Sequence, residues 1–112
     1  MEKTMTLEKF KTDWTSFFGI PDEEVTELME LFVQSMKASR DKLKKQLDGF
    51  DFIALAREAH SLKGLAGPDL DGLRDLARDL EIAAKAENPD ESARFIEKIL
   101  GEQDFLIHLI LL

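Results

Sequence analysis

The chain contains no cysteine. Disulfides and thiolate zinc sites are excluded, and the absence is compatible with a reducing compartment, so a cytoplasmic protein is expected. No signal-peptide hydrophobic region follows Met1-Glu2-Lys3-Thr4. Long apolar runs are also lacking. The longest, Phe105 to Leu112, is interrupted by His108 and is far too short to span a bilayer, so no membrane insertion is expected. Positive charge is scarce: 15 Lys and Arg against 23 Asp and Glu leave a net charge of −8. That balance argues against nucleic-acid binding, which requires basic side chains to neutralise phosphates. There is no internal repeat, no low-complexity segment and no glycine-rich ATP-binding loop. No second histidine or carboxylate stands at metal-ligand spacing from His60. The chain is therefore expected to hold no metal or cofactor and to have no kinase site of its own.

What remains is a chain of 112 residues, 44% hydrophobic and 34% charged, the balance of one globular domain over residues 1–112. No stretch alternates with the period of a strand. The apolar positions recur instead at helical spacing, and the punctuation residues divide them into five helices. Leu7, Phe10, Trp14, Phe17 and Phe18 define a short helix over about 6–18, ended by Gly19. Pro21 suits a first helical position, with Asp22, Glu23 and Glu24 complementing the helix N-terminus. A long second helix follows, with Val25, Met29, Phe32, Met36, Leu43 and Leu47 on one core stripe and Gly49 as its stop. Asp51 can cap a third helix running to about Gly67, and Pro68 forbids its simple continuation. Asp69 or Asp71 can cap a fourth, with Leu70, Leu73, Ala77, Leu80 and Ala84 on its apolar face. Asn88-Pro89-Asp90-Glu91 reads as an N-cap, a first-position proline and a capping-box glutamate. The fifth helix buries Ile96, Ile99, Leu100, Leu106, Ile107 and Ile110. Short connections make neighbours antiparallel. The expected fold is all-α: an antiparallel up-down-up-down four-helix bundle over about 21–112, with the N-terminal helix capping one end through Trp14, Phe17 and Phe18.

His60 stands out within the third helix, in Ala59-His60-Ser61-Leu62-Lys63-Gly64. At about 100° per residue, Lys63, Gly64, Gly67, Ile53 and Arg57 all fall within about 60° of it. The core stripe of Phe52, Leu55, Ala59, Leu62 and Ala66 is centred some 120–140° away. His60 thus points to solvent or to a partner. Gly64 costs about 1 kcal/mol in mid-helix relative to alanine, and it removes bulk where another protein's backbone would approach. Gly67 falls on the same side and either shares that role or terminates the helix. Lys63 places a cation beside the imidazole, with Arg57 on the other flank, and Ile53 and Ala56 add an apolar rim for docking. An imidazole is nucleophilic when neutral, and phosphoryl transfer depends mostly on positioning and charge stabilisation. The pattern points to an exposed histidine that carries a phosphoryl group. His108, in an apolar helix without such neighbours, is expected to have no role.

Over about residues 20–87 the chain resembles histidine-containing phosphotransfer (HPt) domains of two-component phosphorelays. The family motif, approximately A-H-x-L-K-G followed by a turn and a helix ending in L-E, is matched by Ala59 to Gly64 and then by Leu73, Leu76, Leu80 and Glu81. Phe32, Leu43, Leu47 and Gly49-Phe50-Asp51 are similar to the family's long helix and its turn into the histidine helix. The turn after the motif departs from the family pattern: Leu70 stands where many members have glycine, and the turn is about one residue shorter. The resemblance implies phosphorylation of His60 at Nε2, steadying of the phosphoryl group by Lys63, room for a receiver domain at Gly64, and Glu81 against the other ring nitrogen. It implies a response-regulator receiver domain or a histidine kinase as partner, with Mg²⁺ on the receiver, and a phosphocarrier rather than an enzyme. A monomer is expected. The competing readings are the substrate domain of a larger kinase, and an acidic helical interaction module that is never phosphorylated.

Overall fold

The computed structural model describes residues 6–67 and 70–111. They form five helices: α1 (Leu7–Phe18), α2 (Asp22–Asp48), α3 (Phe52–Leu65), α4 (Asp71–Lys85) and α5 (Pro89–Leu111). The 27 residues of α2 account for the long dimension of the 42 × 28 × 22 Å molecule, at about 1.5 Å per residue. Helices α2 to α5 close a ring in which each packs against two others: α2 on α3, α3 on α4, α4 on α5, and α5 back on α2. The expected stripes supply the core. Val25, Met29, Phe32, Met36 and Leu43 of α2 meet Leu55, Ala59 and Leu62 of α3, Leu73, Ala77, Leu80 and Ala84 of α4, and Ile96, Ile99 and Leu106 of α5.

Local chemistry sets the helix ends, with shifts from the expected boundaries. The Thr6 hydroxyl accepts from the Lys9 N–H, the Asp51 carboxylate from the Ala54 N–H and the Asn88 side chain from the Glu91 N–H. Pro21 is the N-cap of α2 rather than its first residue. Gly19 ends α1 in the left-handed conformation. The left-handed residue after α2, however, is Phe50 (φ 53°) and not Gly49. The Asp51 N–H bonds the Gln46 carbonyl and the Phe50 N–H bonds the Leu47 carbonyl, which is the paired closure that requires this conformation. Glu87 (φ 53°) ends α4 in the same way, with Asn88 N–H on Ala83 O and Glu87 N–H on Ala84 O.

Helix α3 stops at Leu65, two residues short of the expected end. The Arg74 guanidinium donates to the carbonyls of Ala66 and Gly67 and also bonds Asp71, so a side chain of α4 satisfies the chain leaving α3. Asp71 is the first residue of α4, which has no side-chain cap; Pro68 and Asp69 lie outside the described residues. Helix α1 covers one end of the bundle with Phe10 and Trp14, and the Trp14 ring packs on Phe10 and Phe32. Phe17 does not join that cap: helical spacing puts it on the Phe10–Trp14 side, but it is 67% exposed in the last turn of α1, with its ring edge-on to Phe18. Helix α2 buries Ser39, and α5 buries Ser92 and Gln103; their side-chain polar atoms make no hydrogen bond to protein.

Candidate phosphoryl-acceptor site

His60 projects from the middle of α3 with 69% of its side chain exposed. Its helix is anchored from behind by Leu55, Ala59 and Leu62, all buried, so the ring rises from a packed base. Helix α4 runs alongside and brings Glu81 up to the ring. Glu81 follows Leu80 at the edge of the apolar stripe, and its side chain is only 12% exposed. Its Oε2 lies 3.3 Å from His60 Nδ1.

Three groups share this carboxylate. Lys63 Nζ donates to Oε1 at 2.9 Å, and Lys85 Nζ lies 3.2 Å from Oε2. The Lys63 hydrogen bond is the chief cause that holds the Glu81 carboxyl well below the usual range, at about 2; partial burial opposes it, and Lys85 adds to the lowering. Glu81 is thus an anion at any physiological pH. A carboxylate only accepts hydrogen bonds, so the contact with His60 is favourable when Nδ1 carries the proton. In the neutral imidazole this leaves the Nε2 lone pair facing outward.

The other sequence candidates divide into two groups. Gly64 is exposed, and a Cβ added there would meet nothing within 4 Å, so the gap is real space on the histidine face. Ile53 (71% exposed), Ala56 and Arg57 line an open depression of about 530 Å³ beside the site, together with Phe50 and Lys85. Gly67 does not belong to this surface. It is buried, and a Cβ there would lie 3.5 Å from the Trp14 ring and 3.8 Å from Phe18. It lies beneath the rings of α1 instead, which corrects its assignment to docking.

Two participants escaped sequence reasoning. Lys85 was legible as an i,i+4 partner of Glu81 on α4. Phe50, 67% exposed, was not, because a left-handed phenylalanine has no sequence signal. Among the described residues, no three His, Asp or Glu side chains converge as a metal site, and no helix is long and apolar enough to cross a membrane.

The sequence model of the Hpt domain matches residues 27–110, most of the chain. The chain belongs to the Hpt domain family. Membership assigns it to phosphotransfer in two-component signalling, where Hpt domains act with response regulators or kinases. Neither the curated proteins nor the solved structures gave a match to this chain. Helix α1 and the first turn of α2 precede the matched region.

Proposed function

We propose that this Hpt domain is a phosphorelay intermediate whose phosphoryl carrier is His60 Nε2. The outward lone pair attacks the phosphorus of an aspartyl phosphate on a receiver domain, or of a phosphohistidine on a kinase. The new N–P bond forms as the bond to the donor breaks, and the donor group leaves with its electron pair. Transfer to an aspartate of a second receiver is the same displacement reversed, with Mg²⁺ supplied by the receiver. Because Glu81 keeps a proton on Nδ1, the ring leaves as neutral imidazole rather than as an imidazolate, which makes it a competent donor. Lys63 rests on Glu81 in the free domain and turns to the phosphoryl oxygens when they arrive, where a charge-assisted hydrogen bond offsets their charge. Gly64 leaves room for the receiver's backbone, and Ile53, Ala56 and Arg57 form the rim on which it docks. The chain adds no catalytic site of its own and acts as a phosphocarrier.

The observation that carries this reading is an exposed imidazole whose Nδ1 faces a carboxylate kept ionised by two lysines. Incubation with a phosphorylated receiver or an autophosphorylating histidine kinase from the same organism tests it. The wild-type domain should gain one acid-labile, base-stable phosphoryl group, and His60→Gln should gain none. Equal labelling of the two proteins would refute the assignment.

A further inference from the structure

Glu81 is gripped from both directions along the α3–α4 pair. Lys63 reaches it from α3, on the side of the α3–α4 connection. Lys85 reaches it from α4, one turn nearer the α4–α5 connection. The two lysines do not take the same oxygen. Lys63 Nζ is on Oε1 at 2.9 Å, whereas Lys85 Nζ is on Oε2 at 3.2 Å, the oxygen that also faces His60 Nδ1 at 3.3 Å. Lys85 therefore shares its acceptor with the ring.

A carboxylate turns about its terminal bond with little resistance. The two oxygens turn together, so Lys63 on Oε1, itself carried by a flexible side chain, restrains that rotation from one side only. A second cation on Oε2 fixes the rotation and sets that oxygen beside Nδ1. The arrangement matters more once His60 is phosphorylated. Lys63, three residues from His60 on the same helix, is then the cation drawn away from Glu81, while Lys85 stays on the oxygen that meets the ring.

We propose that Lys85 is a positioning residue that acts through Glu81: it holds Oε2 against His60 Nδ1–H and so fixes the tautomer that presents the Nε2 lone pair to a partner. The part of the proposal that concerns the phosphorylated state rests on the phosphocarrier reading. The part that concerns the tautomer belongs to the free domain and is tested there. A lysine with 68% of its side chain exposed, four residues after a glutamate, is also an ordinary surface pair of helices, so the test separates the two roles.

The ring ¹⁵N shifts of His60 in the labelled, unphosphorylated full chain report which nitrogen carries the proton, with His60→Gln identifying the signals. The wild-type ring should hold the Nδ1–H form in excess. Lys85→Met should lower the ratio of that form to the Nε2–H form by about twofold or more, the weight of one exposed charge contact. Lys85→Arg should restore it. In a Glu81→Ala background, Lys85→Met should change nothing further, because no carboxylate is left to position. Unchanged ring shifts in Lys85→Met would overturn the proposal, and so would an effect that persists without Glu81. A domain whose tautomer depends on Lys85 but which accepts no phosphate would overturn the phosphocarrier reading and leave this one standing. Phosphate uptake with a tautomer indifferent to Lys85 would do the reverse.

Discussion

The molecule carries two histidines on exposed helix faces, and their surroundings differ in one respect that matters. His108, near the end of α5, has Nδ1 3.3 Å from the Asp104 carbonyl one turn back on its own helix. His60 has Nδ1 3.3 Å from the carboxylate of Glu81 on a neighbouring helix. A carbonyl and a carboxylate are both acceptors, so either can favour a proton on Nδ1 and turn Nε2 outward. Ring orientation therefore does not make a phosphoryl site. At His60 the acceptor carries a full charge, two lysines are stored on it, and a glycine keeps the approach open. At His108 the acceptor is neutral backbone, and the nearby Asp104 carboxylate is engaged by Arg40 of α2. The difference is electrostatic: Glu81 and Lys85 come from an adjacent helix and Lys63 from His60's own.

The comparison breaks most decisively at the rings themselves. His60→Gln should abolish phosphate uptake, while His108→Gln should leave its rate and extent unchanged in a receiver-phosphate exchange assay. Removing the stored cation should have the next largest effect. Lys63→Ala should slow transfer about tenfold, the loss of roughly one charge-assisted hydrogen bond, and should lower the thermal midpoint without unfolding the domain, because Glu81 loses its chief partner. Stopped-flow or rapid-quench kinetics would measure it, and an unchanged rate would remove Lys63 from the mechanism.

The carboxylate itself offers a comparison by pH. Glu81 has its folded value depressed from 4.5 to about 2, so it stabilises the fold above the unfolded value, and that contribution is lost as pH falls from about 5 toward 2. Glu81→Gln should lose stability relative to the wild type at neutral pH, and the gap should close across this acidic window. Urea unfolding of both proteins from pH 2 to 7 would measure it; a constant gap would mean that the ion pairs contribute no stability. The smallest effect is expected at Gly64. Gly64→Ala should raise stability by up to about 1 kcal/mol, since nothing blocks the methyl group, yet weaken receiver binding. Calorimetric unfolding beside a binding titration would show whether the two move in opposite directions.

Helical periodicity made the five helices, the four core stripes and the outward direction of His60 legible, because each depends on spacing within one segment. The caps at Asp51 and Asn88 were legible for the same reason. What depends on contact between segments was less so. Gly67 has the spacing of a docking glycine, but its environment is set by Trp14 of α1, more than fifty residues earlier in the chain. The meeting of Glu81 with His60 followed only from likeness to a family, since spacing along one helix says nothing about register against another. Lys63 illustrates the remaining gap. Its place beside the histidine was readable, but its resting partner on α4 was not.

The buried polar side chains of α5 bear on how the molecule opens. Gln103 and Ser92 are fully enclosed, and neither finds a protein partner for its side-chain polar atoms. A polar side chain enclosed among apolar ones gains less from burial than an apolar one of the same size. Transient separation thus costs less there than on the α3–α4 side, where Glu81 is fully engaged. Amide hydrogen exchange should accordingly run faster in the middle of α5 than in α3, so the fold can breathe on the face away from His60 while the acceptor face holds its shape.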